Sequence, residues 1–241
     1  MKKNRLYTLF TSGLAILFAM TTIAAASPGD KKPPLEIDPE NFVRQIDNEF
    51  FPLKPGTTFI HLGESDGAPT RSEMTVTQKT KKILGVTTTV VHHLNYEDGV
   101  LIEDTFDWFA QDEDGNVWYF GEATKDLDEN GNVISTEGSW EAGVDGAQPG
   151  IIMLADPRKG DRYKQEIYPG VAEDMAQVLG YKDSLCVRYG CFEDVLWTKE
   201  WTPLEPGVVE HKYYAEGVGF IYAIMVKGGD EETELARIRR R

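Results

Sequence analysis

Runs rich in Thr, Val and aromatic residues alternate with compact turn signals along most of this chain, and that rhythm constrains the fold more than any other feature. Successive side chains on an extended backbone project to opposite sides. Such runs, broken by Gly, Asp and Asn about every ten residues, predict an antiparallel β meander forming a barrel or half-barrel. Strands are expected near residues 57–63, 71–82, 86–96, 100–110, 117–125, 132–140, 161–168, 172–180, 184–189, 191–201, 207–215, 218–227 and 232–238. One short N-terminal helix is predicted before them. Asp38-Pro39-Glu40 offers a cap, a first-turn proline and a first-turn acid; Phe42, Val43, Ile46 and Phe50 follow at helical spacing, and Pro52 ends the pattern. The fold class is therefore mostly β, with residues 38–241 as a single β-rich domain.

The chain opens with Lys2, Lys3 and Arg5, continues through an apolar stretch from Leu6 to Ala26, and reaches Ala24-Ala25-Ala26 before Ser27. A basic head, an apolar middle and a small-residue cut site describe a secretory signal peptide over residues 1–26, followed by a linker over 27–37. The alternative is an uncleaved membrane anchor. The Pro/Gly/Lys linker favours cleavage, and the absence of cysteine near the cut disfavours a lipid anchor. Nothing after residue 27 is apolar for long enough to cross a bilayer, so no membrane span is expected after processing. The expected location is periplasmic or secreted.

The formal charge is −15, and removal of the three basic residues of the leader takes it three lower, to −18. A field of that sign repels phosphate backbones and anionic lipid, which argues against nucleic-acid partners and favours solubility, cations or basic partners. The tail Arg237, Arg239, Arg240 and Arg241 reads as a solvated end. Cys186 and Cys191 flank the turn Arg188-Tyr189-Gly190, and in an oxidising setting they are expected to form a disulfide that pins the hairpin.

Around Glu97-Asp98-Gly99, a three-residue loop with Gly99 left-handed would pair Tyr96 with Val100, Leu94 with Ile102, His92 with Asp104 and Val90 with Phe106. These residues share one face, taken as the interior. His93, Asn95, Glu103, Thr105 and Asp107 then form the wetter face. The apolar run Pro149 to Leu154 reads as either a lid over the barrel mouth or a buried connection.

Three candidate sites emerge. The segment from Asp126 to Glu137 fits a calcium-loop template, with Asp126, Asp128, Asn130 and Asn132 as oxygen donors and Glu137 closing the ring, although strands rather than helices flank it. The competing reading is an acidic hairpin turn. His92 and Asp104, buried together, would make either a general-base couple or a polar pair fixing strand register. Gly63-Glu64-Ser65-Asp66-Gly67 matches a nucleophile elbow literally but lacks the following helix, so it reads as a surface hairpin. No zincin, phosphate loop, dinucleotide fingerprint or thioredoxin motif is present.

The stretch Trp197 to Gly207, and then Glu210-His211-Lys212-Tyr213-Tyr214-Ala215-Glu216-Gly217-Val218-Gly219-Phe220, resembles a signature of exported bacterial proteins of unknown function. Their architecture is similar to the lipoprotein-carrier (LolA-like) group, an incomplete antiparallel barrel around a helix. The resemblance implies a periplasmic or secreted half-barrel whose concave face holds a lipid, another apolar small molecule or a protein partner. The leading expectation is thus a non-enzymatic binding protein. Its barrel would be lined by Val90, Leu94, Ile102, Phe106, Trp108 and Tyr119, with His92 and Asp104 as polar anchors. Two alternatives stand beside it: a calcium-stabilised extracellular interaction domain, and a hydrolase-type enzyme built on His92 and Asp104.

Overall fold

In the computed structural model, residues 36–240 are described. The predicted signal peptide, most of the linker and Arg241 lie outside them. In chain order the strands are β1 (Phe42–Val43), β2 (Thr57–Ser65), β3 (Ala68–Ile83), β4 (Val86–Glu97), β5 (Val100–Asp112) and β6 (Val117–Ala123). An excursion follows with β7 (Asp126–Leu127), β8 (Val133–Ser135) and β9 (Trp140–Glu141). The wall then resumes with β10 (Gln148–Met153), β11 (Arg162–Lys164), β12 (Glu166–Ile167), β13 (Met175–Val187), β14 (Gly190–Trp201), β15 (Val209–Ala215), β16 (Gly219–Lys227) and β17 (Glu232–Arg240).

All pairings are antiparallel, and they run almost completely round. The ladders from β2 to β6 continue through β10 to β12, while those from β11 continue through β13 to β17, which returns to pair with β2. The result is a nearly closed barrel, which satisfies strand edges that an open sheet would leave exposed. Pro149 to Leu154 is no lid: most of it is β10, hydrogen-bonded between β6 and β12 as part of the wall.

The predicted N-terminal helix does not form, and among the described residues there is no α-helix at all. The capping signal acts, since Asp38 accepts from the Glu40 amide, but it starts only a 3-10 turn over Pro39–Asn41. Phe42 and Val43 then pair with Asp112 and Gln111 at the end of β5. Beyond them the Asp47 and Asn48 amides donate to Gln111 Oε1 at 2.9 and 2.8 Å, and the Asn48 side chain donates to the carbonyls of Gly115 and Leu154. These long-range bonds satisfy the backbone that a helix would have satisfied locally. Ile46, Phe50 and Leu53 are buried as predicted apolar positions should be, but they close one end of the barrel. A helix wrapped by an incomplete barrel, as in the lipoprotein-carrier group, is therefore not the arrangement here.

The β4–β5 hairpin turns on two residues, with Asp98 and Gly99 both at positive φ, 50° and 81°. Glycine is favoured there because no Cβ opposes the left-handed backbone. Glu97 pairs with Val100, and a bulge at Asn95/Tyr96 then restores pairing as Leu94 with Asp104, His93 with Thr105 and His92 with Phe106. The three-residue loop expected from sequence is thereby corrected.

Candidate functional site: a cavity inside the barrel

The interior of the barrel holds a cavity of about 290 Å³ that opens to solvent. At the plugged end it meets Phe51, Leu53 and Phe220; in the middle it meets Phe59, His61, Ser72, Met74 and His93; at the opposite end it meets Tyr96, Trp201, Leu204 and Met225. The side chains that reach it from β4 and β5 are His93, Asn95, Tyr96, Asp107 and Phe109. The face read from sequence as the wetter one therefore points inward.

Leu94, Ile102 and Phe106 do not line the cavity, nor do His92 and Asp104. His92 Nε2 and Asp104 Oδ1 are 2.8 Å apart, but their side chains are 31% and 29% exposed, and His92 stacks on Phe106 at 4.3 Å. Trp108 is buried away from the cavity under the Lys81 ammonium, which lies 3.3 Å from its ring centroid. Of the expected lining, Tyr119 alone faces the cavity. Buried positions alternating with half-exposed ones fit either orientation of a strand, and here the polar members were inside.

A bulge brings two acids of β5 and β6 together on the wall. Asp107 pairs with Glu122 and Phe109 with Tyr119, so β6 spends one residue more than β5 between these pairs. The extra residue falls at Gly121, whose φ is 125° and whose Cβ, were there one, would lie 2.2 Å from the Trp140 carbonyl oxygen. Strict alternation would send Tyr119 and Glu122 to opposite faces; the bulge brings both to the cavity.

Tyr119 donates its hydroxyl hydrogen to Asp107 Oδ1 at 2.7 Å, and its ring stacks on Phe109 at 4.7 Å. Burial pushes the Asp107 carboxyl up to about 7 against the Tyr119 hydrogen bond, with Glu103 adding repulsion. Burial also holds the Glu122 carboxyl well above its usual range, reinforced by Glu166, Asp107 and Glu103. Glu122 Oε1 is buried without a hydrogen-bond partner. Glu103 accepts from Asn95 and Thr105.

Across the cavity a second group is paired internally. Lys212 Nζ lies 2.9 Å from Glu200 and 3.3 Å from Glu210, and Glu200 also accepts from Thr198, Tyr214 and Gln165. Burial opposes charge on Glu200, yet Lys212 and these donors hold its carboxyl below the usual range. Burial likewise opposes the Lys212 ammonium, but the two carboxylates outweigh it and keep it charged. Glu210 is raised by burial to about 7 despite Lys212. Of the two interior histidines, His61 contacts the Phe220 carbonyl oxygen at 3.1 Å and His93 the Ser72 hydroxyl. Burial lowers both to about 4, so both are neutral at pH 7.

No family model matches the chain, and no curated protein matches it. Among solved structures it is similar to a protein described as a "putative lipoprotein" from Parabacteroides distasonis, at 11% identity and a TM-score of 0.43, over 80% of this chain and 99% of that one.

The calcium-template residues do not converge. Asp126 is in β7, opposite Ser135. Asp128 caps the hairpin turn, accepting from the Asn130 and Asn132 amides and from the Asn132 side chain, and Glu137 is exposed with its amide bonded to Ser135. Among the described residues, no group of three or more His, Cys, Asp or Glu side chains is placed to hold a metal ion. Cys186 and Cys191 face each other across β13 and β14 and are disulfide-bonded. No helix among the described residues is long and apolar enough to cross a membrane.

Sequence reasoning missed Glu122, Glu200, Glu210, Lys212 and His61 as interior residues. The signal lay in charged residues alternating with apolar ones through long strands, a pattern that also describes a solvated outer face.

Proposed function

We propose that this is an exported, non-enzymatic binding protein that encloses a small, largely apolar molecule in its barrel. The observation that carries the reading is the interior cavity of about 290 Å³. Close-packed protein interiors hold few voids larger than a water molecule. Ligand pockets run from about 300 Å³ upward, with mostly apolar walls and a few placed polar groups. A recess of this size inside a barrel is room for an occupant, ligand or displaceable water. Phe51, Phe59, Met74, Phe109, Phe220 and Met225 supply an apolar lining. Export rests on the leader over residues 1–26.

The test is fluorescence titration with N-phenyl-1-naphthylamine, a neutral apolar probe. The wild-type protein is expected to bind it saturably. Val171→Trp, which puts an indole into the cavity, is expected to weaken binding at least about tenfold. Absence of saturable binding, or equal binding by the filled variant, removes the reading.

A further inference from the structure

Resting on that binding reading, we propose that the ligand carries a protonated amine and that its ammonium group sits between Asp107 and Glu122. These two acids are direct partners across the β5–β6 ladder, and both line the cavity. Like charges facing each other across a ladder repel, and a buried carboxylate needs a partner for its charge. Glu122 is 2% exposed, and its Oε1 has no hydrogen-bond partner. Among the described residues neither acid takes part in an ion pair.

The cations of the cavity wall are already committed. Lys212 is held by Glu200 and Glu210, while Arg71 bonds Glu73 and lies over the Tyr96 ring at 4.0 Å. Turning Lys212 toward Asp107 and Glu122 would strip the buried Glu200 carboxylate of its counter-charge, which low dielectric makes costly, and turning Arg71 would break its pair with Glu73. A cation brought by the ligand draws both acids toward their ionised forms without that loss. An ammonium carries up to three N–H donors and can bond both carboxylates together. Beside it, the stacked rings of Tyr119 and Phe109 offer an apolar wall for the rest of the molecule. A bare metal ion fits less well, because the acids are not arranged as a converging set of three or more ligands among the described residues.

The experiment is calorimetric titration at pH 8 of the processed full chain with n-octylamine, 1-octanol and octanoate, which share a tail and differ in head group. The amine is expected to bind at least about tenfold more tightly than the alcohol, with octanoate weakest. Glu122→Gln is expected to bring amine and alcohol within about threefold of each other, with alcohol binding unchanged. Because glutamine keeps the shape and cannot ionise, the ligand-free variant should melt no lower than wild type. Asp107→Asn gives a second, independent variant.

If alcohol or octanoate binds as tightly as the amine, the amine assignment falls while the barrel remains a binding site. Full amine preference surviving in both variants overturns the placement of the ammonium. If none of the three binds, the enclosing-barrel reading fails as well.

Discussion

His92 and Asp104 hold each other at 2.8 Å with both side chains about one-third exposed, whereas Asp107 and Glu122 are almost fully buried with less to neutralise them. Two acids three residues apart in one strand thus meet opposite environments, because each step along an extended backbone changes face. The outer pair is worth little, as exposed ion pairs generally are. His92→Ala is expected to lower stability by less than about 1 kcal/mol in denaturant titration and to leave probe binding unchanged. A loss of binding would instead couple the outer pair to the cavity. The nearness of His92 and Asp104 was legible from their place in one hairpin, although they meet diagonally and not as the direct partners the three-residue loop implied. Their side was not, because both faces of β5 carry a mixture of acids and aromatics and only closure of the wall decides which is inside.

Single residues also set the elements. The Gly121 bulge turns Tyr119 and Glu122 to the same side, and nothing in the run Trp118-Tyr119-Phe120-Gly121-Glu122 marks it beyond the glycine itself. Gly121→Ala would force a Cβ against the Trp140 carbonyl at a backbone angle that side chains avoid. A destabilisation of about 3 kcal/mol or more is expected, with weaker probe binding. Wild-type melting and affinity would show that the bulge is dispensable. The N-terminal segment illustrates the same competition in reverse. Its cap and apolar spacing are helical, but Gln111, Gly115 and Leu154 offer hydrogen bonds that only the assembled barrel brings within reach.

Over the whole molecule, the interior acids and histidines give stability a defined pH profile. A carboxyl that titrates higher when folded keeps a proton that the unfolded chain has released, so its contribution is fully present below about pH 4 and is lost as pH rises through the folded value. Asp107 and Glu210 titrate near 7 and Glu231, raised chiefly by burial, near 8. His61 and His93, held near 4, work the other way: they add stability as pH rises toward about 6.5, where the unfolded histidine also loses its proton. Above that the histidines are neutral in both states and the carboxyls alone remain. Thermal melting is therefore expected to fall between pH 6.5 and 8, with a shallower fall in Asp107→Asn. A flat or rising profile across that window would place these acids in a more solvated setting. An amine seated against Asp107 and Glu122 would oppose the fall, since it favours their ionised forms.

By itself the sequence determined the strand-rich class, several of the hairpin turns and the facing cysteines. These depend on local rules: period-two alternation, left-handed glycine turns and short loop closure act within a few residues. Tertiary structure decided the absence of the helix, the near closure of the wall, the inward direction of the polar face and the meeting of Asp107 with Glu122. Those outcomes depend on which backbone groups lie within hydrogen-bonding distance after the chain has curled round. Alternation gives a strand two faces, but only the curvature of the assembled sheet makes one of them the inside.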